Sequence, residues 1–194
     1  ANGAMKSLFD ALNVVYGEKE KRGYFRRTLV TLGFTLCGLV LVVLLMAGVV
    51  ALPAILNAVG LQGTSAILLR VLRWPVLFLL LSTALAAIYR YGPSRREPRW
   101  RWVSWGGVAA TLVWLATSWA FSFYVNHFGS YNKTYGSLGA MIGFMTWIWI
   151  SSIVVLAGAE LHAEMEHQTA KDSTKGRDKP TGTRQARMAD ETAS

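Results

Sequence analysis

A run of about 25 residues without a charge, Thr28 to Leu52, decides most of what this chain can become. Three similar runs follow: Trp74 to Tyr89, Val103 to Asn126 and Ser137 to Ala159. A helix needs roughly 20 apolar residues to cross the hydrocarbon core of a bilayer. Lipid offers no hydrogen-bond partner to a backbone, so a crossing segment must satisfy its own groups as a helix. The second run is near the lower limit and gains turns from residues 66 to 73. The expected spans are therefore about 28–52, 68–90, 103–127 and 137–160. Soluble core helices are rarely uncharged for so long. The fold class expected is all-α, a polytopic membrane helix bundle with four transmembrane helices.

A net charge of +9 would suggest nucleic acid in a soluble protein. Here the charges follow the runs instead. Six of the 20 Lys and Arg precede the first run, five lie between the second and third, and six follow the fourth. Arg70, Arg73 and Lys133 occupy the other side. The positive-inside rule then puts both termini in the cytoplasm. The expected partners are membrane lipids, with basic loops against anionic headgroups, and no nucleic acid. Cys37, within the first span, excludes an internal disulfide.

Between the runs the chain is punctuated. Residues 4–16 place Ala4, Leu8, Ala11, Leu12 and Val15 at helical spacing, with Asp10 and Asn13 off the stripe. This amphipathic helix is expected in the membrane interface or against helices missing from the chain. Pro53 should end the first span, making residues 54–65 a short loop. Pro75 either starts the second helix or kinks it, and the sequence leaves both open. Residues 1–167 read as the membrane bundle, and 168–194 as a disordered basic cytoplasmic tail.

The polar residues within this frame are few. Gly136, Gly139 and Gly143 are three and four apart, a spacing that lets helices approach closely. Ser137 is expected to cap the last span. Asn132 and Lys133, beside Tyr135, precede that helix start, where anions are favoured. Arg70 and Arg73 are expected to snorkel to headgroups or to guide an anionic substrate. Glu160, at the inner edge of the fourth run, is costly at membrane depth, and Arg90 or Arg101 are its expected partners. Glu160, Glu164 and His167 share a helix face. Glu164 and His167 also read E-x-x-H, but a second such motif is absent, so no metal and no cofactor are expected. The acids before Glu160 are Asp10, Glu18, Glu20 and Glu97, and His127 falls on the opposite side from them. No nuclease constellation forms from these.

Five segments carry a resemblance. "ALNVVYGEKEKRG" (Ala11 to Gly23), "LRWPVLFLLL" (Leu72 to Leu81), "YRYGPSRR" (Tyr89 to Arg96), "FGSYNKTYGSLG" (Phe128 to Gly139) and "LAGAELHAEME" (Leu156 to Glu166) occur in order. Together they resemble the YihY/BrkB family of bacterial inner-membrane proteins, formerly labelled ribonuclease BN. The resemblance covers roughly residues 8–166. It implies a multi-pass protein of the bacterial inner membrane with about two further helices ahead of this chain, which resembles the C-terminal two thirds. It links the chain to serum resistance and envelope integrity, with transport, including of lipids, as an expected role and ribonuclease activity as a misassigned one. Asn132, Lys133, Tyr135, Glu160, Arg70 and Arg73 are then expected along a substrate or lipid path. The resemblance also raises Glu18, Glu20, Arg22 and Arg90 to a cytoplasmic gate or docking role. Further helices or a second copy would meet the glycine face.

Overall fold

The computed structural model describes residues 2–60, 64–128, 137–168, 174, 180 and 182–190, without the side chains of 57, 64–66, 100–104, 128 and 137. Its elements are α1 (Asn2–Val15), α2 (Tyr24–Met46), a π-helical turn (Ala47–Ala51), α3 (Leu52–Ala58), α4 (Thr64–Tyr91), α5 (Trp100–Phe128), α6 (Ser137–His167) and the short α7 (Arg187–Asp190). Among the described residues there is no strand, and one isolated bridge joins Pro98 to Thr174.

Four helical stretches are long and apolar enough to cross a membrane: Tyr24–Leu56, Ile67–Tyr91, Trp105–His127 and Leu138–His167. No more than 17% of the most apolar window of any of them is buried within the chain. Apolar surface left so open is what membrane-spanning helices present. The chain is a multi-pass membrane protein of all-α class.

One expectation about proline is corrected, and one open choice is decided. Pro53 does not end the first span. The Leu52 N–H bonds to the Ala47 carbonyl, a wider π turn just ahead of the ring, and α3 continues as helix through Pro53. The added turn absorbs the missing N–H and the bulk that would otherwise break the helix. Pro75 lies inside α4.

α5 packs between α4 and α6, and two adjacent glycines make this close approach possible. A Cβ on Gly107 would lie 2.7 Å from the Ser82 carbonyl oxygen of α4, and one on Gly106 would lie 2.9 Å from His162 Cδ2 of α6. Across the bilayer-depth contact of α5 with α6, Trp114 Nε1 donates to Ser151 Oγ at 3.0 Å and Trp147 Nε1 to Ser118 Oγ at 3.3 Å. Paired this way, neither indole N–H is left in hydrocarbon. Gly143 meets nothing within 4 Å, so its expected packing partner is not among the described residues.

α1 does not lie free. Its buried residues are Phe9, Leu12 and Asn13, and Tyr16 just past its end is buried with them. They form a stripe one position away from the expected one, and Asn13, expected off the stripe, lies within it. They join Leu85, Ala86, Tyr89, Ala110, Ala159 and Ala163 in the core at the end of the bundle that carries both chain ends. Of the tail expected to be disordered, residues 182–190 fold back onto this end. The Arg187 N–H donates to Glu18 Oε1 at 2.8 Å, and the Arg96 N–H to the Gln185 carbonyl at 3.3 Å.

Candidate functional site

Gly17 ends α1 with φ of +63°, a conformation glycine adopts without strain. The chain then turns back through Glu18 to Arg22 and meets the α4–α5 connection. Asn13 makes that junction. Its Oδ1 accepts the Ser94 N–H at 2.7 Å and its Nδ2 donates to Glu20 Oε2 at 3.1 Å. Glu20 receives Arg22 through Nε at 2.8 Å and Nη2 at 2.9 Å, a bidentate pair. Arg22 also donates to the Tyr91 and Gly92 carbonyls that end α4.

Beneath this junction is a buried polar group. Arg95 Nη1 donates to Glu166 Oε2 at 2.5 Å, and the two side chains are 1% and 2% exposed. The Arg95 guanidinium lies 4.1 Å from the centre of the Tyr16 ring, a cation–π contact. Tyr16 Oη and His162 Nδ1 share a hydrogen bond of 3.0 Å. Burial raises the Tyr16 pKa, partly offset by Arg95. The phenol therefore keeps its proton and can donate to a neutral His162.

These elements frame a cavity of about 630 Å³ lined by Lys21, Arg22, Arg26, Arg90, Arg95 and Arg96, together with Val30, Tyr91, Pro93, Ser94, Glu97 and Gln185. Four of its cations are held by carboxylates: Lys21 by Glu18, Arg22 by Glu20, Arg90 by Glu97 and Arg95 by Glu166. Arg26 is exposed on the wall.

Burial opposes ionisation of Glu20, but its hydrogen bonds from Arg22 and the Arg22 charge win, bringing its pKa down to about 2. An unfolded glutamate titrates near about 4.3. The lowered value stabilises the junction above the unfolded pKa, and that contribution is lost as pH falls from about 5 towards 2. Thermal melts across this range should show wild type losing stability faster than Glu20→Gln. Parallel curves would mean that this pair is not what acid breaks.

The residues singled out by sequence divide clearly. Arg22 and Arg90 line the cavity, and Glu18 and Glu20 anchor cations of its wall. Glu160 is exposed. Arg90, one of its expected partners, instead pairs with Glu97 and donates to the Pro98 carbonyl; the Arg101 side chain lies outside the described residues. Glu164 and His167 sit 3.6 Å apart on an outward face. Arg73 lies over Trp74, 5.0 Å from the ring centre, and Arg70 is exposed; both are far along α4 from the cavity. Asn132, Lys133, Tyr135 and Gly136 lie outside the described residues. Among the described residues no group of three His, Cys, Asp or Glu converges as a metal site.

Asn13, Tyr16, Arg95, His162 and Glu166 escaped the sequence reading. Three of the segments that carry the resemblance, Ala11–Gly23, Tyr89–Arg96 and Leu156–Glu166, are the ones that meet here. The model of the family described as virulence factor BrkB matches residues 1–182. The chain belongs to the BrkB family. It is 33% identical over 173 residues to the ribonuclease-like protein YfkH of Bacillus subtilis, covering 84% of this chain and 60% of that protein. It is 26% identical over 160 residues to a UPF0761 membrane protein of Chromobacterium violaceum, covering 80% of this chain and 36% of that protein. A UPF0761 membrane protein of Chromohalobacter salexigens is 40% identical over 99 residues, 48% of this chain and 24% of that protein. The chain thus spans 60% or less of the length of these curated relatives. No solved structure matches it. BrkB membership agrees with the four spans, and the cavity belongs to the part of the chain that the family model covers.

Proposed function

We propose that this BrkB-family membrane protein handles lipid, or transports a solute of similar charge, in the bacterial inner membrane. The observation that carries this reading is the cationic cavity at the edge of an apolar bundle. A cluster of Lys and Arg at that level attracts anionic headgroups, and the adjoining spans offer apolar surface to acyl chains. By the positive-inside rule this end, with both chain termini, faces the cytoplasm. Asn132, Lys133 and Tyr135 are proposed as elements of the same path near the opposite face, with Arg70 and Arg73 guiding anions there. Glu18, Glu20, Arg22 and Arg90 act as its gate.

We infer no catalytic activity. The carboxylates nearest the cavity, Glu18, Glu20, Glu97 and Glu166, are each tied to a cation, which suits them to structure rather than proton transfer. "Ribonuclease-like" is the name of the Bacillus relative and carries no site to this chain. One observation favours a second reading, a non-catalytic envelope or assembly protein: α4, α5 and α6 are pressed together through Gly106, Gly107 and Gly158, which leaves little room for a path between them.

The test is reconstitution of the full-length protein in vesicles containing a headgroup-labelled anionic phospholipid. Protein-dependent movement of the label between leaflets, reduced in Arg22→Gln, is expected. Vesicles with protein that move lipid no faster than empty ones would favour the assembly role.

A further inference from the structure

We propose that residues 182–190 are an autoinhibitory strap, which closes one wall of the cavity and must lift before the cavity is loaded. The proposal rests on the lipid-handling reading for what the cavity admits. Its own evidence is the way the strap is seated. Gln185 lines the cavity, and its carbonyl accepts the Arg96 N–H of the α4–α5 connection at 3.3 Å. Two residues on, the Arg187 N–H donates to Glu18 Oε1 at 2.8 Å. The other oxygen of that carboxylate accepts Lys21 Nζ, a further cavity group. The strap thus reaches from one framing loop to the other. Gly17 makes its seat, because a Cβ there would lie 3.0 Å from Arg187 Cδ.

The strap is built to move as a unit. Asp190 accepts the Arg184 and Gln185 N–H groups at 2.8 and 3.1 Å, and Arg184 Nη1 donates to the Ala189 carbonyl at 2.7 Å. Its apolar hold on the bundle is slight. The apolar side chains it buries fully are Ala186 and Ala189, and Met188 packs part-buried against the core. α7 has four residues, too few for a helix to be stable by itself. Gln185 has φ of +62°, a left-handed conformation that strains a residue with a Cβ and that lifting would relax. Segments of this kind open locally well before the whole fold does.

The frame stands without it. Asn13 Oδ1 holds the Ser94 N–H, the Lys21 N–H donates to Ser94 Oγ at 2.9 Å, and Arg22 donates to the Tyr91 and Gly92 carbonyls. These contacts join the two loops directly. No strap residue is among the buried members of the core around Tyr16. All of the strap after Gly182 also lies outside the stretch that the BrkB model matches, as a device added to a shared framework would.

The test makes two measurements on full-length protein. The first is movement of labelled phosphatidylglycerol between vesicle leaflets, for wild type and Ala189→Arg. Ala189 is 1% exposed, so arginine cannot be seated there and the strap stays up. Movement should rise about tenfold or more, because an open state populated at about 10% or less becomes the resting one. The second reads the strap itself, by maleimide labelling in detergent of Ala189→Cys and Ala163→Cys, each with Cys37→Ser. Both alanines are 1% exposed. Ala189→Cys should label about tenfold faster or more, and faster again with added phosphatidylglycerol, since a headgroup that enters only the open cavity favours the lifted strap. Equal labelling at the two positions overturns the proposal. Lipid movement that a folded Ala189→Arg leaves unchanged or lowers also overturns it, and leaves the lipid-handling reading in place. If Ala189→Arg does not fold, labelling decides alone, and labelling of Ala189→Cys that phosphatidylglycerol does not change overturns the strap. Fast labelling that responds to phosphatidylglycerol, with no lipid movement in any protein, keeps the strap and removes lipid movement as its purpose.

Discussion

Glu166→Ala is expected to destabilise the folded protein by about 3–5 kcal/mol, the cost of leaving one member of a buried ion pair alone. The pair with Arg95 is almost wholly removed from solvent, so water cannot replace the lost carboxylate. Arg95 would keep its charge over the Tyr16 ring with Nε, Nη1 and Nη2 all unsatisfied. The cost spreads, because Tyr16 also joins α1 to His162 of α6. Replacing both partners by apolar residues of similar volume should recover most of the loss, since a buried pair is roughly balanced against its own desolvation. Thermal unfolding of the three proteins in one detergent measures this. A loss in Glu166→Ala below about 1 kcal/mol would mean that solvent reaches the pair.

Gly107→Leu should cost about 1–3 kcal/mol, towards the upper end, through overpacking. Its first added carbon alone would lie 2.7 Å from the Ser82 oxygen and 2.9 Å from Ala86 Cβ. The Ser82 oxygen is backbone, and Ala86 Cβ is fixed to it. No rotamer relieves the clash, so α4 and α5 must separate, and that weakens the core around Leu85, Ala86, Tyr89 and Ala110. Gly143→Ala is the control, because its added carbon meets nothing within 4 Å. It should change stability by less than about 0.5 kcal/mol. Comparable losses at the two positions would argue against close approach as the cause, since alanine and leucine both exceed glycine in helix propensity.

The spans were legible because lipid removes ambiguity: an uncharged run of that length has little alternative to a helix. What periodicity could not give was the inward face. On α6 the reading chose Glu160, Glu164 and His167, which point outward. Ala159, His162, Ala163 and Glu166 turn inward. Both sets obey helical spacing. The distinguishing signal was the company kept: the polar residues interleaved with alanine face a neighbour close enough to need small side chains. α1 repeats the lesson, since its buried stripe includes Asn13 and Tyr16, residues a hydrophobicity rule scores as outward. Their partners, Ser94 and His162, are distant in sequence, so no local pattern contains them. Gly106 and Gly107 were equally opaque. Two adjacent glycines in a span permit close packing, but which helix lies on each side is a property of the whole bundle.

The packing of α1 against α6 sets a timetable. Tyr16 and its partner His162 are 146 residues apart. At a synthesis rate of about 5–20 residues per second, the final span follows α1 from the ribosome by roughly 7–30 s. Throughout that interval Tyr16 lacks its α6 partner, although Phe9 can already meet Phe34 of α2. The membrane interface is the nearest place where an amphipathic helix can wait. On this account the contact of α1 with α6 forms late, after its contact with α2. Assembly of this end of the bundle therefore waits for α6, and the cavity exists only once the chain has been made through Gln185.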